Sequence, residues 1–162
     1  MSDAPEDEVL ATVSASIGRR ILGIGLLSLL AVMVIWMAVT KSPAFGWQIF
    51  LIGLGITALM IADAMRRSTA CVLELTTTML REKDGRIIAR IDEITDVERG
   101  AFAFKPSNGF LLTTSTRNSR AWRPGVWWRM GRKIGIGGML PGRQTKFMSE
   151  IIAVRLAERE VR

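Results

Sequence analysis

Two long apolar runs dominate the first half of the chain, at residues 21–39 and 46–65. The first run contains no charged residue, and the second contains only Asp63, near its end. At 1.5 Å of rise per residue each run forms a helix of roughly 28–30 Å, which matches the hydrocarbon core of a bilayer. Neither run shows the polar stripe of a surface helix in a soluble protein. The pattern therefore predicts a transmembrane hairpin with helices at about 19–40 and 46–66.

Basic residues are concentrated at one end of this hairpin. An arginine pair precedes the first run, another follows the second, and the short connection between the runs carries only Lys41. Because basic segments stay in the cytoplasm, both ends of the hairpin are predicted to be cytoplasmic. Two tryptophans then lie near the opposite interface, where indole rings settle. The predicted topology anchors are Arg19, Arg20, Arg66, Arg67, Trp36 and Trp47.

The first run has an alternative interpretation as the core of a signal peptide, since an arginine pair stands before it. A second apolar run follows almost at once, where a cleavage site of small residues and a soluble mature chain would be needed. The sequence therefore favours an anchor over a cleaved signal.

Asp63 is the acidic residue of the apolar runs, and an acid inside a membrane is a candidate functional site. It lies three and four residues before Arg66 and Arg67, which places all three side chains on one face of the helix. A local ion pair is the favoured interpretation. The alternative is a proton or ion relay, which would make the protein a small transporter or channel subunit.

After Arg67 the pattern changes to short stretches of alternating apolar and polar residues, which is typical of β-strands. The predicted strands are 71–78, 87–91, 94–104, 110–114, 126–130 and 133–140. Lys83-Asp84-Gly85-Arg86 predicts a hairpin turn of type I′, and Pro106–Gly109 predicts a second turn. Gly100 is a candidate β-bulge, and Arg120–Gly125 is predicted to be a loop.

The chain ends with a helical pattern at residues 144–160. Its apolar residues recur at helical spacing, with basic residues off the stripe. These apolar residues are Phe147, Met148, Ile151, Ile152 and Leu156. Short strands followed by one helix predict a bent antiparallel sheet or small barrel that the helix closes at one end. Residues 1–16 begin with four acidic side chains and no basic one, and they are predicted to be a disordered acidic tail.

The composition bears on the chemistry. The chain has no histidine and a single cysteine, so the commonest general base and the usual zinc and iron–sulfur ligand sets are absent from the sequence. In the glycine-rich segment 137–145, Arg143 stands at the lysine position of a phosphate loop, and Gln144 stands where the metal-binding hydroxyl would be. The acids of segment 92–98 cluster beside Arg90 and Arg99, as on a solvated, salt-bridged face. We therefore expect no catalysis, no metal and no cofactor.

A segment rich in tryptophan and arginine, residues 122–133, stands out in the second half. Every charged residue from Arg99 to Ser149 is basic, which suits an anionic membrane leaflet better than nucleic acid for a membrane-anchored chain. Trp127 and Trp128 are adjacent in a strand and must face opposite sides. Two interpretations stay open, namely core with ordinary surface, or contact with membrane or partner. The candidate contact residues are Trp122, Arg123, Trp127, Trp128, Arg129, Arg132 and Lys133.

The order of these elements resembles a known family. The chain has, in order, a strand, the Asp84-Gly85 hairpin, a second strand, the segment Asp92-Glu-Ile-Thr-Asp-Val-Glu98 with its Ile94-x-x-Val97 spacing, further strands and one terminal amphipathic helix. This order resembles the bacterial pleckstrin-homology-like (PH-like) domain. The resemblance covers roughly residues 68–160 and departs from the family over Arg120–Gly138. It implies a strongly bent, seven-stranded antiparallel sheet with a helix in one opening, preceded by two transmembrane helices.

The resemblance also carries expectations about function. It implies an α+β membrane protein of the bacterial inner membrane, with residues 17–67 as the hairpin and 68–162 as a cytoplasmic PH-like domain. We expect a non-enzymatic adaptor, scaffold or assembly subunit whose partners are other integral membrane proteins or a second copy of the chain. The alternative is a sensor that binds anionic lipid headgroups.

Overall fold

The computed structural model describes residues 8–41, 43–99 and 106–160, and within them it has an α+β fold. The helices are α1 (Ile17–Thr40), α2 (Phe45–Ser68) and α3 (Gly142–Glu160). The strands are β1 (Val9–Ser14), β2 (Val72–Thr76), β3 (Met79–Glu82), β4 (Ile87–Arg90), β5 (Ile94–Glu98), β6 (Phe110–Arg123) and β7 (Trp127–Ile136). A 3₁₀ turn, Ile91–Glu93, joins β4 to β5.

α1 and α2 form the helical hairpin that the apolar runs predict. Each has 24 residues, which gives a length of about 36 Å at 1.5 Å per residue. Both are long and apolar enough to cross a membrane. Small residues are buried along the hairpin while most large apolar side chains face outward. Gly55 permits this close approach, because a Cβ there would collide with Ile35.

β1 corrects the prediction of a disordered tail over residues 1–16. The structure places Val9–Ser14 in a strand that pairs antiparallel with β2, with Val13 opposite Leu73. Ala11 and Val13 are buried, so the short alternation of apolar residues is long enough to join the sheet. Residues 1–7 lie outside the described residues. The hairpin is therefore inserted between two strands that pair with each other.

The first sheet has the order β1-β2-β3-β4. The predicted strand 71–78 is too long, because the chain turns after Thr76, whose hydroxyl donates to the Met79 carbonyl and accepts from the Met79 amide. β3 therefore begins at Met79 and forms the Asp84-Gly85 hairpin with β4. That turn is not of type I′, since Gly85 has a φ of 94° and Asp84 has no positive φ.

The second sheet has the order β5-β6-β7. β6 extends through most of the predicted loop, and β7 is one strand where two were predicted. The pairing register shifts between Thr113 and Asn118. The Thr114 hydroxyl donates across this irregularity to the Arg132 carbonyl at 3.1 Å and accepts from the Asn118 amide. These hydrogen bonds hold β6 and β7 together where the regular pairing of their residues is interrupted.

The core lies between the two sheets and α3. α3 begins at Gly142, close to the prediction, and buries Met148 and Ile152 against β1 and β5. The described residues form two antiparallel sheets and no closed barrel. The turn at Pro106–Gly109 is present, with a hydrogen bond from the Gly109 amide to the Pro106 carbonyl. The Gly100 bulge and the end of the predicted strand 94–104 fall outside the described residues.

Candidate membrane-proximal contact surface

The β6–β7 hairpin curls so that its own turn meets the segment after β7. The Gly137 amide donates to the Val126 carbonyl at 2.9 Å, and the Met139 amide donates to the Gly125 carbonyl at 2.8 Å. Gly138 has a φ of 86°, and a Cβ there would press on the backbone of Gly125. The curl gives the hairpin an inner face against the first sheet and an outer face away from it.

The inner face is organised around the buried carboxylate of Glu82. The Arg123 guanidinium donates to both carboxylate oxygens, from Nε at 3.0 Å and from Nη2 at 2.9 Å. The Trp127 indole N–H donates to Oε1 at 2.7 Å. Glu82 is fully buried, and its hydrogen bonds raise the pKa of Arg123 above the ordinary value. Sequence reasoning missed Glu82, because an acid at a strand end usually points into solvent.

Arg129 also belongs to the inner face. Its guanidinium donates to the Ile88 carbonyl at 3.0 Å and to the Ser119 carbonyl at 2.9 Å, and it lies 6.0 Å from the centre of the Trp127 ring. Burial, with a smaller effect from nearby Arg86, lowers the pKa of Arg129. These contacts tie the hairpin to β4.

Three of the candidate contact residues therefore belong to the inner face. Trp127 is only 1 % exposed and is a core residue. The guanidinium groups of Arg123 and Arg129 are engaged by Glu82 and by backbone carbonyls, so they are not placed to bind a phosphate. The alternation argument was right that Trp127 and Trp128 face opposite sides, and Trp127 is the one turned inward.

The outer face carries the two other tryptophans of the segment, together with one arginine and one methionine. Trp122 and Trp128 occupy directly opposite positions in the β6–β7 ladder. Trp122 is 66 % exposed, whereas Trp128 is half-buried over Gly135, where a Cβ would collide with its indole. Further along the same face, the Arg120 guanidinium contacts the Met130 sulfur at 3.7 Å. We call Trp122, Trp128, Arg120 and Met130 the outer aromatic-basic face.

Two candidate residues lie beyond this face. Arg132 is exposed, next to the irregular part of the hairpin. Lys133 is exposed as well, and its ammonium donates to the Glu98 carboxylate at 3.1 Å. A surface ion pair of this kind contributes little to stability, but it neutralises part of the positive charge of Lys133.

One end of the sheet unit is packed against the helical hairpin. The Ser16 amide donates to the Met139 carbonyl at 3.1 Å, and the Met139 side chain reaches Gly23, nearly two turns into α1. Arg19 donates to the Leu140 carbonyl at 3.4 Å. Gly125 approaches Thr69, the residue that caps α2. The sheet unit is therefore joined to the helices by these contacts as well as by the chain segments that link β1 to α1 and α2 to β2.

The arginine pairs of the hairpin lie together at this end. Arg20 donates to the Arg66 carbonyl at 3.3 Å. Asp63 forms ion pairs with Arg66, at 2.9 Å, and with Arg67, as the spacing predicts. Trp36 and Trp47 are exposed near the opposite end of the hairpin. All six predicted anchors are thus at the two ends of α1 and α2.

The described residues contain no group of three His, Cys, Asp or Glu side chains close enough to hold a metal ion. Cys71 is partly buried, and burial raises the pKa of its thiol to about 11. Every buried side-chain nitrogen and oxygen in the described part of the chain has a hydrogen-bond partner.

An open groove of about 1080 Å³ lies between the end of α3 and the β4–β5 connection. Its rim includes Arg90 and Asp92, which pair with each other, and Arg159, which donates to the carbonyls of that connection. Arg159 therefore joins the end of α3 to the β4–β5 connection.

Comparison with known proteins adds no assignment. No family model, curated protein or solved structure matches this chain.

Proposed function

We propose that the protein is a non-enzymatic adaptor of a bacterial inner membrane, with its sheet unit held at the cytoplasmic surface by the helical hairpin. One observation carries the proposal, namely the insertion of α1 and α2 between the paired strands β1 and β2. A unit joined to two helices through adjacent strands has little freedom to leave the bilayer. Such an attachment suits a scaffold that presents a fixed surface to neighbouring membrane proteins.

A PH-like identity for the sheet unit is part of this proposal. The family fold leads us to expect seven strands in a strongly bent antiparallel arrangement, followed by one helix. The described residues have six strands within residues 68–160, β2–β7, and β1 from before the helical hairpin adds a seventh to the first sheet; α3 packs across the core. The long, curled β6–β7 hairpin provides the bend. A fold of this kind serves many functions, so the adaptor role is argued from the attachment and the surface.

The polar groups support a structural role over a catalytic one. Glu82 is the most buried acid of the described chain, and its oxygens are occupied by Arg123 and Trp127. Asp63 is held by Arg66 and Arg67 at the end of α2. A carboxylate that is already paired in this way favours anchoring over proton or ion transport.

The test is crosslinking in native membranes followed by purification in detergent. Arg117 is exposed on the β6–β7 hairpin. We expect the full chain with a photo-reactive amino acid at this position to capture an integral membrane protein or a second copy. A variant with Glu82→Ala keeps the helical hairpin but loosens the sheet unit, so it should remain in the membrane and lose the crosslink. Recovery of the uncrosslinked monomer alone from both chains would contradict the adaptor role.

A further inference from the structure

We infer that the outer aromatic-basic face lies on the anionic lipid of the same leaflet, with the Trp122 indole inserted at the depth of the headgroups. The inference goes beyond the adaptor role, and it rests on the proposed membrane anchoring. It names a second contact between the protein and the bilayer, made by the sheet unit in addition to α1 and α2.

The position of the face is the first argument. Trp122 and Gly125 line one small cavity of about 110 Å³, together with Pro106 and Trp128. Gly125 is also the residue that meets Thr69 at the end of α2 and Met139 above α1. Trp122 is therefore close to the point where the second helix leaves the bilayer.

The residue types are the second argument. Trp122 and Met130 are 66 % and 54 % exposed, although both are large and apolar, and Trp128 adds part of its indole. Tryptophan is enriched at membrane interfaces because its ring is apolar and its N–H is polar. The arginine beside Met130 has a long apolar stem and a charged head, which suits the same depth.

Charge is the third argument, and it distinguishes this face from other exposed apolar surfaces. No acidic residue occurs between Arg99 and Ser149, so the two strands that form this face carry only basic charges. That charge complements an anionic leaflet. α3 also exposes Phe147 and Val154. Glu150 and Glu158 lie three or four residues from these side chains, on the same side of the helix. With Arg143 four residues before Phe147, the α3 surface carries charges of both signs, and it suits anionic lipid less well than the outer aromatic-basic face.

The experiment measures the depth of a fluorescent probe in vesicles of phosphatidylcholine and phosphatidylglycerol. The full chain, with Cys71→Ser, receives one cysteine at a time for an environment-sensitive label, in the variants Trp122→Cys, Val154→Cys and Trp36→Cys. Val154 is 57 % exposed and serves as the matched surface control, and Trp36 reports insertion of the hairpin. Lipids with a spin label near the headgroup or along the chain quench a nearby probe. Far-UV circular dichroism checks that each variant is folded.

The probe at position 122 should be quenched several times more strongly than the probe at 154, and most strongly by the shallow spin label. Adding Arg120→Glu should weaken that quenching without changing the signal at position 36. Equal quenching at 122 and 154, with position 36 quenched, would overturn the inference and leave the anchor standing. A blue-shifted probe at 122 that lipid does not quench would overturn it in favour of a protein partner. Absence of quenching at 36 would instead refute the anchor, and the inference with it.

Discussion

The carboxylate of Glu82 receives three hydrogen bonds from the β6–β7 hairpin in a fully buried position. Burying a charge is costly unless it is paired and hydrogen-bonded, and here both conditions are met by Arg123 and Trp127. The same three residues join the two sheets. Their arrangement could not be read from the sequence, because Glu82 and Arg123 are far apart along the chain.

Replacing Glu82 by alanine should lower the free energy of unfolding by about 3–5 kcal/mol, because the Arg123 charge and the Trp127 N–H lose their partner. Chemical denaturation in detergent, followed by tryptophan fluorescence, measures this change. Glu98→Ala removes only the exposed pair with Lys133 and should cost less than about 1 kcal/mol. Equal losses for the two variants would contradict a central role for Glu82.

Cys71 should be a poor nucleophile at neutral pH, since burial raises the pKa of its thiol from 9.0 to about 11 and only the thiolate reacts. The rate of alkylation by iodoacetamide, measured against pH, should rise with a midpoint near 11 in the folded protein. The urea-unfolded chain should show a midpoint near 9.0. A folded-state midpoint at or below the unfolded one would refute the burial argument.

The same shift predicts a loss of stability in alkali. The unfolded chain releases the Cys71 proton at lower pH than the folded chain does, so the free energy of unfolding falls as pH rises from 9.0 to about 11. The thiol is partly exposed, and solvent screening reduces the size of the effect. Cys71→Ser should remove this component, which denaturation curves across that pH range would show.

At the scale of elements, long regular patterns were the reliable ones. α1, α2 and α3 lie where apolar spacing predicts them, because a helix of many turns repeats its signal. β1 was missed because its alternation is short and adjoins acidic residues. Arg120–Arg123, the end of β6, was assigned to a loop, and residues 115–119 were given no strand because they are polar throughout. Pairing in this part of β6 involves Thr114, whose hydroxyl donates to the Arg132 carbonyl of β7, a residue that only the fold brings near.

The pairing of β1 can be tested at two adjacent positions. Val13→Asn places an unpaired amide in the core and should lower the free energy of unfolding by about 3 kcal/mol or more. Thr12→Asn changes the exposed face of the same strand and should stay within about 0.5 kcal/mol. Denaturation of both variants under the same conditions compares them. If the two substitutions cost the same, Val9–Ser14 is not part of the sheet.

At the scale of the whole molecule, the two connections between hairpin and sheet run through neighbouring strands, with Ser14 opposite Val72. Further contacts join Met139 to α1 and Gly125 to the end of α2. The helices therefore contact the sheet unit at the end of the helical hairpin that carries the arginine pairs. The proposed orientation follows from those pairs and gives the sheet unit a cytoplasmic position.

This orientation predicts which residues a membrane-impermeant maleimide reaches in intact cells. In a Cys71→Ser background, Lys41→Cys should be labelled from outside, because Lys41 lies in the connection between α1 and α2. Arg117→Cys, on the exposed part of β6, should be labelled only after the membrane is disrupted. The opposite pattern would mean that the orientation is inverted.

The sequence by itself determined the apolar hairpin, its arginine ends, the Asp63 ion pairs and α3, because these depend on residues close together in the chain. It also determined that Trp127 and Trp128 face opposite sides. Only the tertiary structure decided which of them is buried, because that depends on Glu82 in another strand. It likewise separated Arg123 and Arg129 from the exposed face. Contacts between residues distant in sequence have no local pattern, so folding must bring them together before their roles can be assigned.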